Sequence, residues 1–411
     1  MSARVCDLGS LMPVDEAIRR LLDQAPPPPP GQMIDLDQAL GRVLACDIHS
    51  PVNLPAWDNS AMDGYALRAA DLPAEGGWLP LGGRIAAGDQ ACSPLLAQQT
   101  VQIFTGAPLP SGADTVVPQE RCRVEGERVC FPAVSPGDHV RKLGEEVRRG
   151  DLLLQAGKRL RAQEVGLLAG AGIARVEVYR PLQVCLLSSG NELREPGEAL
   201  APGQIYNSNR HCLAALLRGW GVEVHDYGVM ADELAASRHA LSLASSECDL
   251  LLSSGGVSVG GEDHLKQAIE ELGRIDFWRL AIQPGKPLAF GDVAGKPWIG
   301  MPGNPSAALI TALVVVRPLL LRAQGVTDVL PLPLSVPAGF DWLQRNKRRQ
   351  YLRARLIPGT DGQLRVELHP QQSSAMLTAA CWADGLAVIE CEQQVQKHDN
   401  VMFLSFADLM H

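Results

Sequence analysis

The stretch Asp249-Leu-Leu-Leu-Ser-Ser-Gly-Gly-Val-Ser-Val-Gly-Gly-Glu-Asp263 constrains this chain more than any other. Its short apolar run, Leu250 to Leu252, is bounded by turn residues and reads as a buried strand. Ser253, Ser254, Gly255 and Gly256 follow. Glycine allows positive φ and lets backbone N–H groups approach a ligand with no Cβ in the way. Glu262 and Asp263 then open an amphipathic pattern ending near Gly273, and acidic residues suit a helix start. Strand, Gly/Ser turn and helix start form the geometry in which backbone amides and a helix dipole hold an anionic oxygen. The plainer reading is an ordinary strand-to-helix turn, and the stretch alone does not decide between them.

The sequence around it repeats the pattern. Val184 to Leu187 reads as a strand, Asn207 as the cap of a helix running to about Trp220, and Val222 to Val229 as a strand. A helix from Asp232 to Glu247 precedes the opening strand, and Glu262 to Leu272 is its helix. Phe277 to Ile282 and Trp298 to Met301 are further strands, and Pro305 to Gln324 a long helix. Such alternation implies a parallel sheet with right-handed crossovers, which binds ligands beyond the carboxyl ends of its strands.

The 411 residues are too many for one ordinary core, so about three or four domains are expected. Pro13 to Gln24 and Leu36 to Leu44 carry helical spacing, joined by a stiff Pro26–Pro30 connector. Residues 50–147 are rich in Pro, Gly and short β-type runs. Gln163 to Leu168 and Val176 to Tyr179 resemble a return to the first domain. The expected fold is therefore multidomain α/β plus β. An N-terminal helical and linker domain takes 1–49 plus 148–180, an inserted small β domain 50–147, a parallel-sheet α/β domain 181–329, and a barrel-like β domain 330–411.

Apolar and charged contents are those of a globular protein. The formal net charge of -9 argues against general nucleic-acid binding and leaves room for a local cationic pocket. None of the ten cysteines forms a CxxC pair. They read as reduced thiols of a cytoplasmic protein. No secretory signal is evident. The longest apolar stretch, Ala307 to Val316, is too short to span a bilayer and reads as a buried helix, so no membrane association is expected.

The predicted strand ends gather a consistent set of residues: Ser188 to Glu192, Asp232, Gly255 to Asp263, Pro284-Gly285-Lys286-Pro287, and Pro302-Gly303-Asn304-Pro305. Glu192, Asp232 and Asp263 are suited to holding Mg²⁺ or to accepting hydrogen bonds from the ring N–H groups of a heterocycle. Mg²⁺ usually takes one or two carboxylates plus phosphate oxygens. Lys286 supplies a point charge for phosphate. For each acid singly, helix capping is the plainer reading. In residues 58–66, Asp58-Asn59 and Asp63-Gly64 make two turns. Asp63 is a metal-ligand or base candidate whose plainer role is structural, and Thr105 opens another such turn. Tyr351, Arg353 and Arg355 alternate and share a strand face. Most of that basic cluster reads as solvated, but Arg353 with a hydroxyl such as Ser373 can bind a small oxyanion. GxSxG, HExxH and Walker A motifs are all missing from the sequence.

Together these motifs resemble the molybdopterin molybdenumtransferase family, the MoeA and gephyrin E-domain group. The resemblance spans essentially the whole chain. It rests on DNSAMDGYA at Asp58–Ala66, TGAPLP at Thr105–Pro110, SSGNEL at Ser188–Leu193 and IYNSN at Ile205–Asn209. SSGGVSVGGED at Ser253–Asp263, PGKPLAFG at Pro284–Gly291 and MPGNP at Met301–Pro305 complete it. It implies a four-part fold and a homodimer with composite sites. It also implies insertion of molybdate into adenylylated molybdopterin with Mg²⁺-dependent loss of AMP. Asp63, Glu192, Asp232 and Asp263 are then the catalytic acids, the last three as metal ligands. Thr105, Ser254, Gly255, Gly256, Lys286, Gly303, Asn304, Arg353 and Ser373 hold substrates. A molybdopterin-adenylylating enzyme acts upstream and molybdoenzymes downstream.

The chain departs from the family pattern at Glu146, Asn191, Arg279 and Gln283, which bears on anion affinity more than on reaction type. Two alternatives stand beside this reading: a molybdopterin adenylyltransferase, which the sheet domain alone also resembles, and a non-catalytic gephyrin-like scaffold.

Overall fold

A computed structural model describes residues 11–89, 93–231, 233–255, 264–359 and 362–410. The chain forms two compact units. One holds the chain through Gln32, Gly41–Val43 and Tyr179 onward; the other holds Met33–Leu40 and Leu44–Val178.

The first unit begins with helix α1 (Val14–Asp23), which buries Val14, Ala17 and Leu21. Its main body runs β1 (Gln183–Ser189), α2 (Ser208–Gly219), β2 (Glu223–Met230), α3 (Leu234–Glu247), β3 (Leu250–Ser254) and α4 (His264–Leu272). It continues with β4 (Gly273–Arg279), the short β5 (Ile282–Gln283), β6 (Pro287–Val293), β7 (Lys296–Met301) and helix α5 (Pro305–Ala323). Six strands make one sheet in the order β2-β1-β3-β7-β6-β4. β2, β1, β3 and β7 are parallel neighbours, while β6 runs antiparallel to both β7 and β4. The sheet is therefore mixed. The sequence reading lacked β6, whose run begins with Pro287 and carries Gly291, both poor strand signals.

Side-chain alternation splits the sheet into two buried faces. Val184, Leu186, Leu250, Leu252, Ile299 and Met301 pack into a core with residues of α1, α2 and α5. Cys185, Leu187, Leu251 and Trp298 pack on the other side with residues of α3 and α4. Burial on both faces is why these strands are continuous apolar runs in the sequence. Helix α5 passes through Arg317–Pro318, as the long helix expected over Pro305 to Gln324 requires. A π-helical segment, Ala312–Val316, re-spaces the backbone bonds just before the proline. Arg317 is buried and donates to the carbonyls of Val329 (3.3 Å) and Asp408 (2.8 Å). By length and composition α5 passes as a membrane span, but 94% of that window is buried within the protein, which marks a core helix.

The rest of this unit is β8 (Leu334–Pro337), β9 (Arg349–Pro358), β10 (Leu364–Leu368), β11 (Gly385–Ile389) and β12 (Asn400–Ser405). The order is β5-β9-β11-β12-β8, with β10 on β9. Just past β8, Ala338 bridges Val366 of β10, and Gly339 N–H donates to the Val366 carbonyl at 2.8 Å. The sheet thus closes into a small barrel around Leu352, Ala354, Val366, Ala387, Ile389 and Phe403. Two short helices, Leu377–Trp382 and Phe406–Leu409, accompany it.

The strand Gly31–Asp35 pairs with Arg175–Tyr179, and in the second unit Ile48–His49 pairs with Leu152–Leu154. A six-stranded sheet follows the order Thr115–Pro118, Gly64–Leu67, Thr100–Ile103, Gly77–Ile85, Arg128–Phe131, Arg123–Glu125. The segment Gln163 to Leu168 lies in a helix, Ala162–Gly170. The helix expected over Leu36–Leu44 does not form: only the 3₁₀ turn Leu36–Gln38 is present, and Gly41 adopts φ +77. That left-handed residue ends any helix, and Leu44 N–H donates to the Lys158 carbonyl instead (3.0 Å).

Candidate active site at the carboxyl edge of the sheet

Strands β1, β2, β3, β4 and β7 all end at one edge of the sheet, and β6 begins there. The turns at that edge are tied to one another. Asn207 caps α2 by accepting from the Arg210 N–H (3.2 Å). This fixes Asn209 in the first turn of α2, where its Nδ2 donates to Ser254 Oγ (3.0 Å) and the Gly303 carbonyl (2.8 Å). One amide therefore joins the turns after β3 and β7. Its Oδ1 is buried without a partner, as is the Ser188 hydroxyl at the end of β1. Gly255 has φ +86, and a Cβ there would lie 2.5 Å from the Ser189 carbonyl oxygen. No other residue type allows the turns after β1 and β3 to approach so closely. Glu192 lies exposed in the first of these turns.

The turn between β5 and β6 is built differently. Gly285 has φ +115, and a Cβ on it would sit 2.4 Å from Thr311 Oγ1 of α5. The turn is thereby pressed onto α5, and Lys286 projects from it exposed. At the start of α5, Asn304 Nδ2 donates to Ser374 Oγ (3.2 Å). The Ser306 and Ala307 N–H groups donate to the Ser374 carbonyl (2.9 and 3.3 Å). Two amides of this helix start are therefore taken by the protein itself, not held open for an anion.

A cavity of about 490 Å³ lies here, lined by Gln283, Lys286, Gly303, Asn304, Arg348 and Ser373 among others. Behind Ser373 stands Arg353. On β9, Leu352 and Ala354 point into the barrel, so Tyr351 and Arg353 take the opposite face. That face is covered. Arg353, the residue set apart from the solvated reading of that face, is fully buried. Its Nη2 donates to the Ser373 carbonyl (3.0 Å), while Nε and Nη1 have no partner. The side chain of Gln372 clamps its backbone N–H and carbonyl (2.9 and 3.0 Å). Burial pushes the guanidinium down to about 10, so it remains charged at neutral pH. The neighbouring cations are neutralised: Arg349 pairs with Asp15 (2.7 Å) and Glu390 (2.8 Å), and Arg355 with Glu367 (2.6 Å). No carboxylate pairs with Arg353 among the described residues.

In the second unit, Asp63 and Thr105 come together. Asp63 Oδ1 accepts from Thr105 N–H (2.8 Å) and Oγ1–H (2.7 Å). Those two bonds hold the Asp63 carboxyl below its ordinary 3.8. Asp58 is similarly engaged, by Leu143 N–H and Lys142 Nζ (2.8 and 2.9 Å).

Asp232, Gly256 and Asp263 lie outside the described residues. Among the described residues no three His, Cys, Asp or Glu side chains gather to hold a metal ion. Such a set is not required for Mg²⁺, which binds through one or two carboxylates and completes its shell with substrate oxygens. The exposed oxygens of Glu192 fit that role. Sequence reasoning did not single out Asn209, Ser374 or Arg348 as site residues. The signals for Asn209 were its place two residues after a capping asparagine and its position at the end of the IYNSN motif.

A mixed α/β sheet with this turn-rich carboxyl edge matches the description "probable molybdopterin binding domain" over residues 185–322. Residues 12–172 match "MoeA N-terminal region (domain I and II)", and residues 335–406 match "MoeA C-terminal region (domain IV)". The chain belongs to the MoeA family. It is 37% identical to a molybdopterin molybdenumtransferase of Haemophilus influenzae over 93% of this chain and 95% of that one. It is 36% identical to molybdopterin molybdenumtransferase 2 of Mycobacterium tuberculosis over 78% and 82%. A solved molybdopterin biosynthesis MoeA protein from Pyrococcus horikoshii superposes with a TM-score of 0.82 at 26% identity, covering 97% of this chain and 100% of that one. Another structure of a MoeA protein from the same organism gives 0.75 at 30% identity, covering 97% and 99%.

Proposed function

We propose that this protein inserts molybdate into adenylylated molybdopterin with release of AMP, a step of molybdenum cofactor biosynthesis. The observation that carries the reading is Arg353: a fully buried guanidinium with two unpartnered nitrogens, bonded to a residue that lines a polar cavity. Such a group lacks an anion, and a small tetrahedral oxyanion satisfies it. Molybdate is the substrate assigned to Arg353 and Ser373. Lys286, on the same cavity, supplies the point charge for a phosphate. Ser254, Gly255, Gly303 and Asn304 shape the edge on which the pterin and its phosphates lie, and Gly256 is assigned to the same substrate by its motif alone. The amide of Asn209 keeps two of these turns in register.

Cleaving a phosphoanhydride needs positioning and charge stabilisation more than covalent chemistry from the protein. Glu192, with Asp232 and Asp263, would hold Mg²⁺, which when bound neutralises charge on the phosphate oxygens. Asp63, kept ionised by Thr105, offers an acceptor to a proton on substrate. We further propose a homodimer in which the Asp63–Thr105 unit of one protomer completes the sheet-edge site of its partner. In this reading the protein works in the cytoplasm between a molybdopterin-adenylylating enzyme and the molybdoenzymes that receive the cofactor.

The test supplies adenylylated molybdopterin, Mg²⁺ and molybdate and measures AMP. Wild-type protein should release AMP in a molybdate-dependent manner, and Asp263→Asn should lose several kcal/mol of transition-state stabilisation while staying folded. ATP-dependent adenylylation of molybdopterin in place of AMP release would overturn the proposal. Near-normal turnover by Asp263→Asn would leave Asp263 only a helix cap.

A further inference from the structure

Two residues of the cavity wall, Gln283 and Arg348, form a unit outside the set of site residues assigned above. β5 pairs in parallel with the start of β9, Ile282 opposite Arg349 and Gln283 opposite Gln350. The Arg349 N–H donates to the Ala281 carbonyl at 2.9 Å. This pairing fixes the segment Asn346–Arg348 beside Gln283. Gln283 Oε1 accepts from Asn346 Nδ2 (2.6 Å) and from Arg348 Nη2 (3.2 Å). Asn346 Oδ1 in turn accepts from the Arg348 N–H (3.0 Å). A guanidinium only donates, so Gln283 must present its oxygen, and its amide orientation is fixed by both neighbours.

The charge of Arg348 is treated unlike that of its neighbours. Arg349 and Arg355 are each held by carboxylates. Arg348 is held by a neutral amide, and no ion pair to it occurs among the described residues. A neutral acceptor fixes the direction of a guanidinium without cancelling its charge. Arg348 and Lys286 both line the cavity, and the guanidinium fork suits two oxygens of one tetrahedral anion.

We propose that Arg348 is a specificity-determining cation of this cavity, binding a tetrahedral dianion, and that Gln283 is its positioning residue. The inference rests on the reading of the cavity as an oxyanion site. Two sources supply that chemistry, molybdate and the phosphate of the nucleotide, and two probes separate them: molybdate alone and AMP alone, each titrated into the full-length protein by calorimetry. Arg348→Ala should raise the Kd of one probe by about 10- to 100-fold, as loss of a charge-assisted bond does, and Arg348→Lys should fall between. Gln283→Ala should raise the same Kd by about 3- to 10-fold, and by nothing further in an Arg348→Ala background. Gln283→Glu should also weaken binding: it grips Arg348 harder but cancels its charge, an effect that a merely structural clamp would not produce. Lys286→Ala separates the two levels of the argument. If it weakens binding while Arg348→Ala changes neither Kd, the cavity reading survives and this inference fails. If neither variant weakens either probe, both fail. A loss from Gln283→Ala that persists without Arg348 overturns the positioning role.

Discussion

Replacing Arg353 by Met should leave the ligand-free protein at least as stable as wild type while abolishing its response to molybdate. The side chain is fully buried, with Nε and Nη1 unpartnered. Each unsatisfied buried donor costs about 1–3 kcal/mol, so the pair costs about 2–6. Against that stands one bond, Nη2 to the Ser373 carbonyl at 3.0 Å, and a bond from a charged donor contributes about 1.5–3 kcal/mol. Methionine fills similar space with no donor, so the centre of the expectation is a gain of about 2 kcal/mol. The ligand reverses the order. At a molybdate concentration 100 times Kd, wild type gains about 2.7 kcal/mol by mass action, and a variant that no longer binds gains nothing. Urea unfolding with and without molybdate measures both. Two results would refute the reasoning: a loss above about 3 kcal/mol in the ligand-free variant, which would make Arg353 a structural hub, or a molybdate response equal to that of wild type.

Mixing Asp63→Ala with Asp232→Ala protomers, each inactive as a homodimer, should restore AMP release if sites are shared between protomers; mixed dimers that form and stay inactive exclude the shared site. Gly285→Ala, strained at φ +115 with its Cβ 2.4 Å from Thr311 Oγ1, should lower the urea midpoint by about 1–3 kcal/mol equivalent. Adding Thr311→Ala should recover only part of that, and an unchanged midpoint in the single variant would contradict the close packing. Asp63 titrates below its ordinary 3.8 because Thr105 bonds its charged form. The stability this contributes is complete above about pH 4 and disappears as pH falls through the depressed value. In Thr105→Val, the Asp63 carboxyl carbon followed by NMR should titrate closer to the ordinary range, and an unmoved titration would show that the hydroxyl plays no part.

The centre of the α/β body was legible because β1, β3 and β7 are buried on both faces and therefore appear as short apolar runs, as in Leu250–Leu252. Asn207 was legible as a cap because the cap is a local interaction with Arg210. Elements set by distant partners were not. Leu36, Leu40 and Leu44 have helical spacing, yet Gly41 turns left-handed and Leu44 bonds to Lys158. β6 exists because β4 and β7 lie on either side of it, although its own residues are weak strand formers. The same limit applies at the site. Motif order named Asp63 with Thr105, and the hydrogen bonds that join them follow from two turns 42 residues apart. No pattern in the chain points from Asn209 to Gly303, because that contact depends on how α2 and β7 meet at the edge of the sheet.

The arginines of β9 show where periodicity stops and packing takes over. A period of two places Arg349, Arg353 and Arg355 on one face and predicts nothing about what covers it. Asp15 of α1 and Glu390 reach Arg349, and Glu367 on the neighbouring strand reaches Arg355. Trp382 lies 4.5 Å from the Arg355 guanidinium. Among the described residues the Arg353 guanidinium bonds only to the Ser373 carbonyl, while Gln372 clamps its backbone. In a chain with 46 acidic residues against 37 basic ones, acids are not scarce. A carboxylate placed against Arg353 would remove the cost of its burial and, by the same interaction, compete with any anion for the site. The uncompensated charge is therefore what a reversible oxyanion site requires. In the proposed reading, the instability it imposes on the ligand-free protein is the difference that binding of the anion would remove.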